Sequence, residues 1–222
     1  MSRVWRRYVA IGDSFTEGMS DPDEADPGGY RGWADRLAGH LAADAAADAG
    51  EVGEVGEVGG FGYANLAVRG RLLEDIATRQ LDDALSLRPD LVSIVGGGND
   101  ILRPRADVDA LAGRLDTAVA RIRAGGADVL MVTPTDPRGA PIVQRTRGRV
   151  GIYIAHIHTI ARHHGAAVLD LWGLVALQDW RMWAEDRIHL TSEGHRRVAL
   201  AAHATLHGLG EDDDWATPLP PA

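Results

Sequence analysis

Four separated segments of this chain carry side chains suited to chemistry on an electrophile. Gly12-Asp13-Ser14-Phe15-Thr16-Glu17-Gly18 follows directly on the apolar run Tyr8-Val9-Ala10-Ile11. A serine there stands at a strand-to-helix junction, open at the top of a sheet and near backbone N–H groups that can bind a developing oxyanion. Taken alone, a glycine and a serine after a strand serve a turn or a helix cap equally well. Asn65-Leu66-Ala67-Val68-Arg69-Gly70 ends in a glycine whose plainest use is a loop position with positive φ. Gly96-Gly97-Gly98-Asn99-Asp100 follows another apolar run, Leu91 to Val95. Its three glycines let the backbone approach a ligand closely, and the Asn99 amide can donate to a negative oxygen, although an Asx-type turn accounts for the same residues.

The fourth segment is Asp186-Arg187-Ile188-His189-Leu190-Thr191-Ser192-Glu193-Gly194-His195. Asp186 and His189 are three apart, close enough for the carboxylate to hold one imidazole nitrogen while the other faces a serine. A free serine hydroxyl is a poor nucleophile, and a base within about 2.6–3.2 Å is what activates it near neutral pH. The other histidines at 156, 158, 163, 164, 203 and 207 fall in helical stretches and read as structural. Asp13 and Asp100 have no evident proton to move and are expected to brace their loops by accepting backbone hydrogen bonds. Glu17 is expected to complement the start of the helix that follows it. Trp172, Trp180, Met182 and Trp183 precede His189 and suit either the wall of a substrate site or packing.

Positioning these segments needs strand ends. Short apolar runs at Tyr8 to Ile11, Tyr63 to Val68, Asp90 to Val95, Asp128 to Thr133 and Ala166 to Leu169 predict five strands. Between them lie helical spacings: Trp33-Leu37-Leu41, Leu72-Ile76 with Leu81-Leu85, Val108-Leu111-Leu115-Val119-Ile122, and Val150-Ile154-Ile157-Ile160. Val198 and Leu200 belong to a last amphipathic stretch. Alternating strands and helices predict a parallel sheet with helices on both faces and ligand chemistry at the carboxyl ends of the strands. The thrice-repeated Glu-Val-Gly of residues 51–59 is too short for a solenoid and too glycine-rich for a stable helix, so it reads as an expanded surface loop. A domain over residues 1–210 and an acidic, proline-rich tail over 211–222, mobile or draped on the surface, complete the expected organisation.

The composition narrows the partners. At 222 residues the chain suits one domain, and its net charge of −9 repels phosphate backbones and anionic lipid surfaces, so nucleic acid is an unsuitable partner. There is no cysteine, which removes disulfides and thiolate metal sites. No signal-like apolar segment precedes the first strand, and no stretch of about 18 apolar residues occurs, so the expectation is a cytoplasmic protein without integral membrane association.

The four segments together resemble the SGNH (GDSL-type esterase/lipase) hydrolases, whose blocks of Ser, Gly, Asn and His are matched in order by Ser14, Gly70, Asn99 and His189. The resemblance spans nearly the whole chain and departs at Phe15, where the GDSL motif has leucine. It implies a flavodoxin-like three-layer α/β/α sandwich around a five-stranded parallel sheet, and an esterase using neither a metal nor an organic cofactor. Ser14 would be the nucleophile, His189 the base and Asp186 its orienting partner. The Ser14 and Gly70 amides and the Asn99 side chain would form the oxyanion hole. Short-chain acyl esters are the favoured substrates, since no sizeable insertion suggests a lid. Lysophospholipid, thioester and carbohydrate ester substrates stay open, as does the balance of hydrolysis and acyl transfer. A catalytically silent binding protein would have less reason to keep Ser14, Asn99, Asp186 and His189 together. A nucleotide-binding domain of similar fold would need a complete phosphate-binding glycine motif, which is missing.

Overall fold

A computed structural model of the protein describes residues 3–51, 60–140, 143–208, 216–217 and 219–220. Five strands form one all-parallel sheet: β1 (Arg7–Ile11), β2 (Gly62–Asn65), β3 (Leu91–Ile94), β4 (Asp128–Val132) and β5 (Ala167–Leu169), in the order β2-β1-β3-β4-β5. This is the expected flavodoxin-like α/β architecture. The principal helices are α1 (Ser14–Glu17), α2 (Trp33–Glu51), α3 (Leu73–Asp75), α4 (Leu81–Ser86), α5 (Gly98–Ile101), α6 (Val108–Ala124), α7 (Arg147–His164) and α8 (Ser192–His207). Among the described residues, no helix is long and apolar enough to cross a membrane.

The strand period of two divides the core into two layers. On one face Val9, Ile11, Val92, Ile94, Val129 and Met131 pack with apolar residues of α3, α4, α6 and α7. On the other face Tyr8, Ala10, Leu91, Leu130 and Val132 pack with Trp33, Leu37 and Leu41 of α2 and Val198, Ala199 and Ala202 of α8. Tyr8 and Ser93, both fully buried, satisfy each other's hydroxyls at 2.7 Å. Helix ends follow local chemistry: Asp107 caps α6 through the Ala110 N–H, Thr191 caps α8 through the Gly194 N–H, and α7 and α8 stop at left-handed Gly165 and Gly208.

Two elements differ from the sequence expectation. β2 ends at Asn65 rather than Val68, because the Asn65 side chain accepts from the Ala67 N–H at 3.2 Å and turns the chain. The chain still follows β1, with the Val68 N–H donating to the Gly12 carbonyl. The stretch expected as helix around Leu72 to Leu85 contains a π-helical segment, Ile76–Gln80, between α3 and α4. That wider turn sits where buried Gln80 is directed at Gly12. The repeat expected as a loop lies, beyond Glu51, outside the described residues, as does most of the acidic tail. Of the tail, Ala216 and Leu219 pack against the second core layer, and Arg181 donates to the carbonyls of Leu219 and Pro220.

Candidate active site

Ser14 opens α1 just past the carboxyl end of β1, where the first N–H groups of a helix lack intrahelical acceptors. The turn before it is fixed from three sides. Gln80 donates to the Gly12 carbonyl at 3.0 Å and accepts from the Gly12 N–H at 2.8 Å. A Cβ on Gly12 would stand 2.7 Å from Thr16 Oγ1 and 3.0 Å from the Val95 carbonyl, so the close crossing of β1 and β3 ends requires glycine. Asp13, also buried, caps α1 by accepting from the Phe15 N–H.

His189 reaches Ser14 from the turn that precedes α8. Its Nε2 lies 3.0 Å from Ser14 Oγ, and its Nδ1 lies 2.6 Å from Asp186 Oδ2. A carboxylate only accepts, so the Nδ1 proton faces Asp186 and the Nε2 lone pair faces the serine hydroxyl. The Asp186 to His189 turn is held by its own backbone: Asp186 Oδ1 accepts from the Ile188 and His189 N–H groups, and the Ala184 N–H donates to the His189 carbonyl at 2.8 Å. Arg187, at φ +58°, takes the left-handed conformation that bends the turn, and its guanidinium lies over the Trp180 ring and donates to the Trp180 carbonyl. Burial acts to raise the Asp186 carboxyl, but the donors on His189 and Ile188 outweigh it, and the group ends below its ordinary range.

Asn99 belongs to α5, after β3. Its Nδ2 donates to the Arg71 carbonyl at 3.0 Å and to Asp13 Oδ2 at 3.3 Å. Burial pushes the Asp13 carboxyl up to about 6. Asp100 accepts from the Leu73 N–H at 2.9 Å, so both aspartates brace loops as expected. Gly97 is left-handed at φ +92°, and a Cβ there would meet the Tyr153 hydroxyl at 2.7 Å. The same hydroxyl donates to the Gly96 carbonyl.

The structure thus brings Ser14, Asn99, Asp186 and His189 together. Ser14, Asn99 and His189 line one cavity of about 410 Å³, with Asp186 behind the imidazole. Gly70, at φ +75°, is exposed and stands one residue before Arg71, the acceptor for Asn99. Among the described residues, no hydrogen bond links Gly70 itself to the other four. Glu17 stands in the first turn of α1, as a helix-start charge does, and its carboxylate also binds the Arg69 backbone N–H and guanidinium, tying the Gly70 loop to α1. Of the aromatic approach, Trp172, Trp180 and Trp183 line the cavity and Met182 is buried in the core. Sequence reasoning passed over Gln80 and Tyr153, which no local motif marks, and the loop of residues 134–140, which forms a further wall of the cavity.

Residues 10–197 match the GDSL-like Lipase/Acylhydrolase family. No curated protein sequence matches the chain. Similar solved structures include TesA, 22% identical with a TM-score of 0.69 over 92% of this chain and 99% of that one. LAE5, an alpha/beta hydrolase enzyme from the metagenome of Lake Arreo, Spain, is 24% identical with a TM-score of 0.69, covering 93% and 98%. A catalytic mutant of Axe2, an acetylxylan esterase from Geobacillus stearothermophilus, is 19% identical with a TM-score of 0.70, covering 95% and 98%. Catalytic mutants of that protein exchange a serine and a histidine for alanine.

Proposed function

The chain belongs to the GDSL-like lipase/acylhydrolase family, and from that premise we propose that it is a serine esterase cleaving carboxylic esters, short-chain acyl esters foremost, through an acyl-enzyme intermediate. The observation that carries this reading is the unbroken path from Asp186 through His189 to Ser14, at 2.6 and 3.0 Å. Ser14 Oγ attacks the ester carbonyl carbon as its proton passes to His189 Nε2, and Asp186 stabilises the imidazolium so formed. The carbonyl oxygen becomes an oxyanion, received by the Ser14 and Gly70 N–H groups and Asn99 Nδ2. Of the two Asn99 bonds, the one to Asp13 at 3.3 Å is the longer, and an incoming oxyanion shares that N–H with the Asp13 carboxyl. Collapse breaks the ester C–O bond, with His189 returning its proton to the leaving alcohol. Water then repeats the sequence on the acyl-Ser14 ester and frees the acid.

The tryptophans and the loop of residues 134–140 line the cavity, and its volume of about 410 Å³ suits a small acyl group beside a larger alcohol portion. Trp180, 39% exposed, lines the cavity with Trp172 and Trp183, and such an aromatic lining favours a carbohydrate alcohol portion as a second reading. Hydrolysis of p-nitrophenyl acetate, butyrate and longer esters beside acetylated xylo-oligosaccharides separates the two. Highest kcat/KM on acetate and butyrate supports the first reading. Strong preference for the acetylated sugar supports the second, and a maximum on long acyl chains contradicts both.

A further inference from the structure

Away from the cleft, α2 and α8 bring a different set of side chains together. His40 and Asp44 are four apart on α2, and His203 and His207 are four apart on α8, so each pair shares one helix face. The faces oppose each other. Asp44 Oδ2 lies 2.8 Å from His203 Nε2 and 3.1 Å from His207 Nε2, and the three ligand atoms all fall within 4.8 Å of one another. None of the four residues lines the catalytic cavity.

We propose that Asp44, His203 and His207, with water in the fourth position, form a binding site for a divalent transition-metal ion of the Zn²⁺ class that clamps α2 to α8. Metal–ligand bonds of about 2.0–2.1 Å in a tetrahedron place ligand atoms roughly 3.3 Å apart. The two Asp44 distances require only a few tenths of an ångström of opening to reach that figure. Imidazole and carboxylate donors select Zn²⁺, Ni²⁺ or Cu²⁺ over the all-oxygen preference of Mg²⁺ and Ca²⁺. The site is also supported from behind. The His207 side chain is only 9% exposed, and Trp5 packs edge-on against its ring at 5.6 Å between centroids. The His40 ring centroid stands 5.4 Å from that of His203. Asp116, His163 and His164 form a looser group: His163 is 75% exposed and 4.0 Å from the carboxylate, and its neighbour in sequence makes the close contact.

The chain has no cysteine, so the metal would be held by nitrogen and oxygen alone, and its place between two helices gives it a structural role rather than a hydrolytic one. Zn²⁺ titration of the untagged, EDTA-stripped protein by calorimetry tests the assignment. One ion per chain is expected, and at a hundredfold excess over Kd the melting temperature rises by roughly 5–10 °C, reversibly on adding EDTA. His203→Gln/His207→Gln and Asp44→Asn, checked for folding by circular dichroism, each weaken binding by at least about tenfold, whereas His163→Gln/His164→Gln leaves it unchanged. Co²⁺ substituted for Zn²⁺ shows four-coordinate d–d absorption that the His203→Gln/His207→Gln protein lacks. Absence of Zn²⁺-dependent heat in the wild type overturns the proposal, as does undiminished affinity in the folded His203→Gln/His207→Gln protein.

Discussion

Asp13 Oδ2 accepts from Asn99 Nδ2 at 3.3 Å, while Asp13 Oδ1 accepts from the Phe15 N–H at 3.2 Å. One buried carboxyl therefore joins the turn that carries Ser14 to the loop that carries Asn99. Both of its oxygens face donors, so Asp13→Asn has no comfortable orientation: either rotamer sets an amide N–H₂ against an N–H. The prediction is a folded protein with kcat lowered roughly tenfold or more and KM little changed, the scale of one hydrogen bond to a charged group. Steady-state kinetics on p-nitrophenyl acetate measures it. A rise in KM with kcat intact would assign Asp13 to substrate binding instead of positioning.

Asn99→Ala removes a side-chain donor from the oxyanion and should lower kcat about 100- to 1,000-fold, or about 2.7–4 kcal/mol of barrier. The Arg71 carbonyl simultaneously loses its 3.0 Å partner, so a small loss of stability accompanies the kinetic effect. Comparing kcat with the urea midpoint for the same variant separates the two. A kcat within about twofold of wild type would remove Asn99 from the oxyanion hole.

His195 supplies a pH-dependent term in stability. It is 1% exposed, and its Nδ1 accepts from the Trp33 N–H at 3.2 Å, a bond that protonation destroys. Burial lowers its pKa to about 4, below the ordinary 6.5. Because the folded value is depressed, the unfolded chain binds the extra proton between pH 6.5 and 4, and stability falls as pH drops through that window. Asp13, raised to about 6, acts in the opposite sense: its contribution is present below the ordinary carboxylate value and is lost as pH rises through about 6. The two oppose each other in the wild type. His195→Gln keeps an acceptor for Trp33 but cannot titrate, so between about pH 7.5 and 5 its stability relative to wild type should improve by about 2 kcal/mol. Urea denaturation at both pH values reads the difference, and a pH-independent gap would show that His195 does not carry the term.

Much of the site was legible in the sequence because its parts are local. Strand, glycine and polar residue lie next to one another in Gly12-Asp13-Ser14 and in Gly96-Gly97-Gly98-Asn99, and Asp186 and His189 are three residues apart. Five apolar runs sufficed for the five strands. What sequence could not give were partners chosen by tertiary packing. Gln80 serves Gly12 from 68 residues away, through a π-helical turn that no propensity marks. Glu17 is a helix-start charge, and nothing local marks it as the partner of Arg69, 52 residues on. Six histidines in helical stretches gave no hint that two of them would share Asp44 from the other side of a helix pair.

As nucleophile and base, Ser14 and His189 should fail together when either side chain is cut back. Ser14→Ala removes only the hydroxyl that faces His189 Nε2, at a half-buried position where folding should survive, and circular dichroism checks that it does. Initial rates on p-nitrophenyl acetate for wild type, Ser14→Ala and His189→Ala make the most direct test. Losses of several thousandfold or more in both folded variants, with neither much worse than the other, are expected for groups that act as a unit. Undiminished hydrolysis by folded Ser14→Ala would mean that Ser14 is not the nucleophile.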